Sequence, residues 1–144
     1  MSRSLRFAIF VCLAWLASGA WAAELEVSDA WIRLLPVGAP AGGYFTLRND
    51  SNQPAVLVGV SSSDFGHVMM HKTVEEKGRS RMLHVDRVEV PARGKLAFTP
   101  GGYHLMLMQP RRKLAVGDRI AIALEFSGGR KLMAQFQLRG PAGK

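Results

Sequence analysis

The sequence predicts an all-β protein, folded as a two-sheet Greek-key β-sandwich. Apolar and polar residues alternate with a period of two along most segments, and no window shows the sustained 3.6-residue periodicity of an amphipathic helix. Clusters of turn-forming residues, mainly Gly, Pro, Asn, Asp and Ser, separate these segments. Many short strands within about 120 residues are typical of a sandwich.

Each predicted strand is a segment in which every second residue can face a core. Turn sequences such as Asn49-Asp50-Ser51-Asn52 bound the strands, and Gly128-Gly129 predicts a tight hairpin before the last one. In chain order, with the core residues that alternation selects, the strands are Leu25–Leu34 (Trp31), Gly43–Arg48 (Phe45, Leu47), Ala55–Ser61 (Leu57), His67–Val74, Met82–Val90 (Val88, Val90), Lys95–Phe98 (Leu96, Phe98), Tyr103–Met108 (Leu105, Leu107), Arg119–Phe126 (Ile120, Ile122, Leu124, Phe126) and Lys131–Leu138.

Residues 1–22 have the pattern of a cleaved secretory signal. Arg3 and Arg6 precede an apolar run over residues 7–16, and the small-residue site Ala20-Trp21-Ala22 follows it. The run is too short for a membrane span, which needs about 20 apolar residues. We therefore expect export to the periplasm, with cleavage near Ala22 and no membrane span in the mature chain. Residues 23–144 would form one monomeric domain.

The only cysteine, Cys12, lies within this signal, so the exported protein would have none. It would then lack disulfides, a cysteine nucleophile and the thiolate ligand that a blue-copper electron-transfer centre requires. The sequence also has no nucleophile elbow and no His-Glu-x-x-His pattern. We therefore expect a protein that is not an enzyme.

The chain is basic, with a net charge of +8 that falls to +6 once Arg3 and Arg6 are removed. It lacks the interleaved aromatic and basic residues that stack nucleic-acid bases, so no nucleic-acid partner is expected. The one basic cluster, Arg111-Arg112-Lys113, is interpreted as a solvated turn between strands, with docking on an acidic partner as the alternative.

All four histidines lie between His67 and Met108, together with five of the six methionines that follow Met1. The series within this window is His71, ten residues, Met82, twenty-one residues, His104, one residue, Met106. Imidazole and thioether donors without thiolate suit Cu(I) better than zinc, calcium or magnesium. The cluster therefore predicts a copper site.

Strand alternation places His104 and Met106 on one face of the strand Tyr103–Met108, about 6.5 to 7 Å apart. Their two side chains can converge on one ion, so His-x-Met on a strand is a workable half-site. Two further segments offer similar donors: His67, Met69 and His71 share a face, as do Met82 and His84. Spacing alone does not choose His71 over His67, or Met82 over His84, and a single methionine is more often a packing residue.

The spacing His71-x10-Met82-x21-His104-x-Met106 and the segment Pro100-Gly101-Gly102-Tyr103-His104-Leu105-Met106-Leu107-Met108 resemble the periplasmic copper chaperone family PCu(A)C. The similarity extends through residues 88–92 and 114–118 to residues 124–126. The resemblance implies a cupredoxin-like β-sandwich that binds Cu(I) at an exposed site and delivers it to the dinuclear copper centre of cytochrome c oxidase. It also implies that His71, Met82, His104 and Met106 are the copper ligands.

One departure from the family concerns the first histidine. Family members often have Glu-Leu before it and sometimes a methionine after it, whereas here Met69-Met70 precede His71 and Lys72 follows it. The departure leaves the coordination number open. Met69, Met70 and Met108 are auxiliary ligand candidates, and His67 and His84 are interpreted as ordinary surface or hydrogen-bonded histidines.

The expected partners are a copper ion, Cu(I) with Cu(II) in addition, and cytochrome c oxidase subunit II or another periplasmic copper-assembly protein. Two alternatives stay open on the sequence. A periplasmic copper-storage or resistance protein would use the same ligands without delivering to the oxidase. An immunoglobulin-like interaction module would bind no metal, because its methionines would only pack.

Overall fold

The structure is a computed structural model that describes residues 24–144. The predicted signal, residues 1–22 with Cys12, lies outside the described residues. Residues 24–144 form ten strands and no helix, which confirms the all-β prediction. It follows that no helix in this part of the chain could cross a membrane. The strands are β1 (Leu25–Arg33), β2 (Ala41–Asn49), β3 (Ala55–Ser61), β4 (Phe65–Glu76), β5 (Arg79–His84), β6 (Val88–Val90), β7 (Gly94–Phe98), β8 (Tyr103–Pro110), β9 (Arg119–Phe126) and β10 (Lys131–Arg139).

The strands are hydrogen-bonded into one continuous sheet, in the order β5-β4-β8-β2-β1-β10-β9-β3-β6, with β7 also paired to β2. The two layers expected from the sequence are thus joined through β1, which pairs antiparallel with β2 and parallel with β10. A bulge between Ser28 and Trp31, with Asp29 at φ 51°, interrupts the register of β1. Bulges bend a strand and increase its twist, which suits a strand shared by two layers.

One hydrophobic core lies between the two halves of this sheet. Phe45 of β2 packs on Phe98 of β7 at 4.4 Å between ring centroids, and on Phe136 of β10 at 5.5 Å. Buried side chains from β4 and β8 belong to the same cluster as those of β3 and β9. Burial of this apolar surface is the main stabilising contribution to the fold.

The sequence predicted a single strand Met82–Val90, and that prediction is wrong. The chain leaves β5 after His84, passes through residues 85–87, and resumes as β6 at Val88. β5 pairs with β4, whereas β6 pairs with β3, at opposite ends of the strand order. One straight strand cannot reach both partners, so the alternation of residues 82–90 covers two strands.

Trp31 was also expected in the core and is instead half-buried on the outer face of the sheet. Its ring contacts Tyr44 with 4.7 Å between centroids, and the guanidinium of Arg33 lies over both rings at 5.4 Å from each centroid. Arg139 also lies over Trp31, at 5.2 Å. Arginines stacked on aromatic rings in this way cover apolar surface while remaining charged.

The basic cluster Arg111-Arg112-Lys113 lies in the bend after β8. Arg112 donates to Asp64 at 2.6 Å and to Asp118 at 3.0 Å, and these bonds connect the bend to two neighbouring turns. The hydrogen bonds and charges of both carboxylates raise the pKa of Arg112. Arg112 is therefore engaged within the protein, which limits what the cluster offers to an acidic partner.

Candidate metal centre

Three adjacent strands, β5, β4 and β8, bring the histidine-rich segments together. His71 on β4 lies directly opposite His84 on β5 and directly opposite His104 on β8. Residues that face each other across an antiparallel pair point to the same face of the sheet, with Cβ atoms about 4.5 to 5.5 Å apart. The three imidazoles therefore form a row across the three strands.

Because residues two apart on a strand share a face, the same register defines a whole surface. It includes all four ligands expected from the sequence. We name it the His/Met face; it consists of His67, Met69 and His71 on β4, Met82 and His84 on β5, and His104, Met106 and Met108 on β8.

The most compact donor group on the His/Met face comes from β4 and β8. Met69 lies directly opposite Met106, two residues from the His71–His104 pair on each strand, so two imidazoles and two thioethers occupy adjacent positions. Met82 lies opposite Thr73 and is thus a diagonal neighbour of His71, a relation that spans about 7 to 8 Å. Met82 is also 62% exposed, so its thioether is accessible from solution.

His104 presents a free ring nitrogen although it is only 7% exposed. Its Nδ1 bonds to the backbone carbonyl of Gly102 at 3.1 Å, and because a carbonyl only accepts, Nδ1 must carry the proton. The same carbonyl accepts the Thr73 amide at 3.0 Å, which connects the turn before β8 to β4. The opposite nitrogen, Nε2, is therefore unprotonated in the neutral ring, and it has no partner among residues 24–144.

His71 has a matching free nitrogen, since its Nδ1 is buried without a hydrogen-bond partner in the described part of the chain. Its ring is nearly perpendicular to those of His104 and His84, with centroids 5.8 Å and 5.7 Å away. Burial, followed by the charges that His104 and His84 would carry, lowers the pKa of His71. The ring is consequently held neutral, the form in which imidazole binds metals.

Buried polar atoms without a partner are uncommon in native proteins and call for an explanation. On the His/Met face two of them are imidazole nitrogens on directly opposed residues, His71 and His104. Within residues 24–144 no three His, Cys, Asp or Glu side chains are placed to hold a metal ion. A metal on this face would thus need methionine as well as histidine, and thioethers favour a soft ion.

The structure separates the auxiliary candidates from one another. Met69 and Met108 lie on the His/Met face, with Met108 opposite His67. Met70 has the reverse orientation: it is 3% exposed and belongs to the hydrophobic core with Leu105, its partner on β8. A thioether packed in the core cannot reach an ion on the opposite face, so Met70 is no longer an auxiliary candidate.

Sequence reasoning missed two neighbours of this site. His84 was set aside, yet it is one of the two residues directly opposite His71. The second neighbour is Tyr44, which sequence reasoning did not indicate. Gly42 lies opposite Met106, and a Cβ at Gly42 would be 2.6 Å from the Tyr44 hydroxyl. The Tyr44 ring therefore lies over Gly42, beside the site. The available signal was the pair Gly42-Gly43 at the start of the predicted strand Gly43–Arg48, because glycine in a strand often marks a close approach.

Comparisons with known proteins place this geometry in context. The model of the LpqE-like lipoprotein family matches residues 25–138. Protein Lxx21020 of Leifsonia xyli subsp. xyli is 32% identical over 112 residues, which cover 77% of this chain and 67% of that protein.

Two solved structures have a similar fold. Copper(I)-bound DR1885 from Deinococcus radiodurans is 32% identical, with a TM-score of 0.67 over 85% of this chain and 83% of that one. The copper-bound PCuAC domain from PmoF2 is 22% identical, with a TM-score of 0.68 over 83% of this chain and 95% of that one. The fold of this chain is therefore that of PCuAC domains, which agrees with the resemblance seen in the sequence.

Proposed function

The chain belongs to the LpqE-like family, and from that premise we propose that it is a periplasmic Cu(I)-binding chaperone. It would carry copper on His71, Met82, His104 and Met106, with Met69 and Met108 as auxiliary donors, and deliver the ion to the dinuclear copper centre of cytochrome c oxidase. Cu(II) would be accepted in addition. Copper is the cargo in this proposal, so the site has to release the ion as well as bind it.

The observation that supports this function best is the pair of unpartnered imidazole nitrogens beside thioethers. Nε2 of His104 and Nδ1 of His71 lack hydrogen bonds among residues 24–144, and both rings lie on a face that also presents Met69 and Met106. An ion held there would gain neutral, soft donors without displacing existing protein hydrogen bonds. The copper(I)-bound form of DR1885, a protein 32% identical to this chain, supports the same cargo.

Release follows from the charge and exposure of the ligands. Neutral imidazoles and thioethers add no negative charge to the site, so a target that offers cysteine thiolates binds Cu(I) more strongly. Met82 is largely exposed, whereas His104 is nearly buried. We infer that an incoming ligand displaces Met82 first and His104 last, so that the ion passes to the acceptor by stepwise ligand exchange.

A competitive Cu(I) titration against a chromophoric chelator tests the ligand assignment. Alanine at His71, Met82, His104 or Met106 should each weaken Cu(I) binding by about tenfold or more. Met133→Ala is the matched control for Met82→Ala, because both methionines are 62% exposed but Met133 is on β10, away from the His/Met face. Unchanged binding in all four ligand variants would contradict the proposal and favour the interaction-module alternative.

Delivery is tested separately from binding. The Cu(I)-loaded protein should transfer copper to the soluble domain of oxidase subunit II, and cells without the protein should assemble less of the dinuclear centre. A protein that binds Cu(I) tightly, transfers none and protects cells from excess copper would instead be the storage or resistance protein. A pull-down with the Cu(I)-loaded protein identifies the acceptor, either subunit II or another copper-assembly protein.

The proposal also includes export. The family model is one for lipoproteins, which are exported, and residues 1–22 have the composition of a secretory signal. The only cysteine, Cys12, lies inside the apolar run of that signal and not at its end, so we infer cleavage without lipid attachment. We infer a monomeric periplasmic domain that begins at residue 23. Fractionation of cells followed by intact-mass measurement should give a periplasmic chain without residues 1–22, whereas a retained N-terminus or a lipid adduct would contradict this processing.

A further inference from the structure

The sheet surface that carries the His/Met face continues across β2 onto β1. Met106 on β8 lies opposite Gly42 on β2, and Gly42 lies opposite Arg33 on β1, so the three positions share one face. Neighbouring strands are about 4.8 Å apart, so the Cα atoms of Arg33 and Met106 are about 10 Å apart. Gly42 has no side chain, and the Tyr44 ring lies over it. The surface therefore presents copper-donor side chains on one side of Gly42 and an arginine on the other.

A cluster of aromatic rings and guanidinium groups occupies the β1 side of this surface. Trp31 lies opposite Tyr44, with 4.7 Å between the ring centroids, and the Arg33 guanidinium is 5.4 Å from each centroid. Arg139 on β10 lies opposite Arg33 and is 5.2 Å from the Trp31 centroid. We name Trp31, Arg33, Tyr44 and Arg139 the Arg/Trp patch. The C-terminal turn borders it, since a Cβ at Gly143 would be 3.2 Å from the Trp31 ring.

The positive charge of the Arg/Trp patch has no carboxylate partner within the described part of the chain. Neither Arg33 nor Arg139 forms an ion pair among residues 24–144, whereas four other arginines there do. Nε of Arg33 is also buried without a hydrogen-bond partner among these residues. Carboxylates bind arginine through charge-assisted, often paired hydrogen bonds. Two adjacent guanidinium groups without such a partner therefore attract an acidic group from outside.

The composition of the patch is that of a protein-binding hot spot. Tryptophan, tyrosine and arginine are the residue types most enriched among the side chains that dominate the binding energy of protein interfaces. The aromatic rings already hold both guanidinium groups in place, so less side-chain freedom is lost when a partner binds. The patch thus fits a protein segment that carries carboxylates.

We propose that the Arg/Trp patch is the docking surface for an acidic segment of the protein that receives copper from this chain. The inference rests on the proposed function, because it assumes that the His/Met face carries copper. A carboxylate bound at Arg33 places the partner's copper ligands along the same surface, about 10 Å away at Met106. A second copy of this chain would bring like charges together, and a membrane offers no copper ligands, so an acidic protein is the favoured occupant.

Binding of a defined probe tests the patch itself. The probe is tetraglutamate with blocked ends, titrated by calorimetry into the apo protein at low salt and mapped by NMR on the Trp31 indole N–H. Arg33→Glu and Arg139→Glu should each weaken binding by about tenfold or more, because they place a carboxylate against the probe. Lys95→Glu is the matched control, because it makes the same change of net charge at an exposed position of β7. It should weaken binding by less than about threefold.

Transfer to an acceptor tests the role of the patch in delivery. The Cu(I)-loaded protein is mixed with the soluble domain of oxidase subunit II, and the transfer rate is measured at low and high salt. Arg139→Glu should slow transfer by about tenfold at low salt and by less at high salt, because salt screens charges at an interface. Its Cu(I) affinity against a chromophoric chelator should be unchanged, and thermal melting reports folding. Arg139→Glu decides the test if Arg33→Glu is unstable, since Arg33 contacts two rings and Arg139 contacts one.

The outcomes separate this inference from the proposed function. The inference is overturned if both arginine variants match Lys95→Glu in probe binding, or if their loss appears only with anionic phosphatidylglycerol vesicles, which would indicate a membrane-binding surface. Copper binding and transfer by the unmodified protein would then leave the proposed function intact. Probe binding that depends on Arg139, in a protein that binds no Cu(I), would support the acidic-segment surface and contradict the chaperone function.

Discussion

Met69 and Met70 are adjacent in the chain and chemically identical, yet they belong to opposite faces of the β4–β8 ladder. On the inner face, Met70 packs with Leu105 in the core, and nearly all of its surface is buried. On the outer face, Met69 lies opposite Met106 and next to His71, where two imidazole nitrogens have no partner among the described residues. The side chains of the inner face pack against one another in the core. The outer face leaves imidazole nitrogens and thioethers free to bind an ion.

Residue type alone therefore does not assign a role to methionine in this protein. The strand alternation does, because a shift of one residue exchanges the core face for the donor face. The register across β4 and β8 then decides which donors meet. The following experiments alter the inner face, then both faces in a matched pair, then the outer face.

The largest effect is expected on the inner face. Leu105→Ala removes a side chain with 0% exposure and leaves a cavity between the layers. Such truncations cost about 2 to 5 kcal/mol of unfolding free energy. Urea denaturation of the apo protein measures this loss, and a cost below about 1 kcal/mol would show that the inner face is not the tightly packed side of the ladder.

A matched pair of substitutions compares the two faces without changing side-chain volume much. Met106→Leu removes an outer thioether, so Cu(I) affinity should fall by about tenfold, or 1.4 kcal/mol, while stability is retained. Met70→Leu removes an inner thioether, so stability should change by less than about 1.5 kcal/mol and Cu(I) affinity should be unchanged. Chelator titration and denaturation of both variants check this. Equal copper binding by the two variants would contradict the functional separation of the faces.

The smallest effect concerns protonation of the outer face. Because the pKa of His71 is lowered in the folded protein, the unfolded chain takes up this proton first as the pH falls below the ordinary histidine value of about 6.5. The contribution of His71 to stability is therefore complete above that pH and is lost as the pH falls through the folded pKa. Apo-protein melting from pH 7.5 to 5, compared with His71→Gln, should show a smaller decrease in the variant. NMR titration of the His71 ring checks the pKa directly, and an ordinary value would exclude this explanation.

Local structure was largely predictable from the sequence. The bounds of β3 and β9 were predicted to the residue, and the strand alternation correctly placed His104 and Met106 on the face opposite Leu105. These features depend on period-two alternation and on turn residues, both of which are local in the chain.

Cross-strand relations could not be predicted in the same way. The register between β4 and β8 decides which histidine lies opposite His104. That register is determined by the packing of the whole inner face. The break after His84 arises because β5 and β6 pair with different strands, a property of the topology and not of residues 82–90. The core position of Met70 could have been predicted from the sequence. The same strand alternation that places Met69 on the face of His71 places Met70 on the core face.

The carbonyl of Gly102 accepts hydrogen bonds from both the Thr73 amide and the His104 ring. Cu(I) is a closed-shell ion that gives no paramagnetic signal, so its arrival at a protein is difficult to follow directly. Because the two donors share one oxygen, we expect a change at the His104 ring to alter the Thr73 hydrogen bond. If His104 binds copper as proposed, the Thr73 amide proton should report loading and release through its chemical shift and solvent-exchange rate, without any added label.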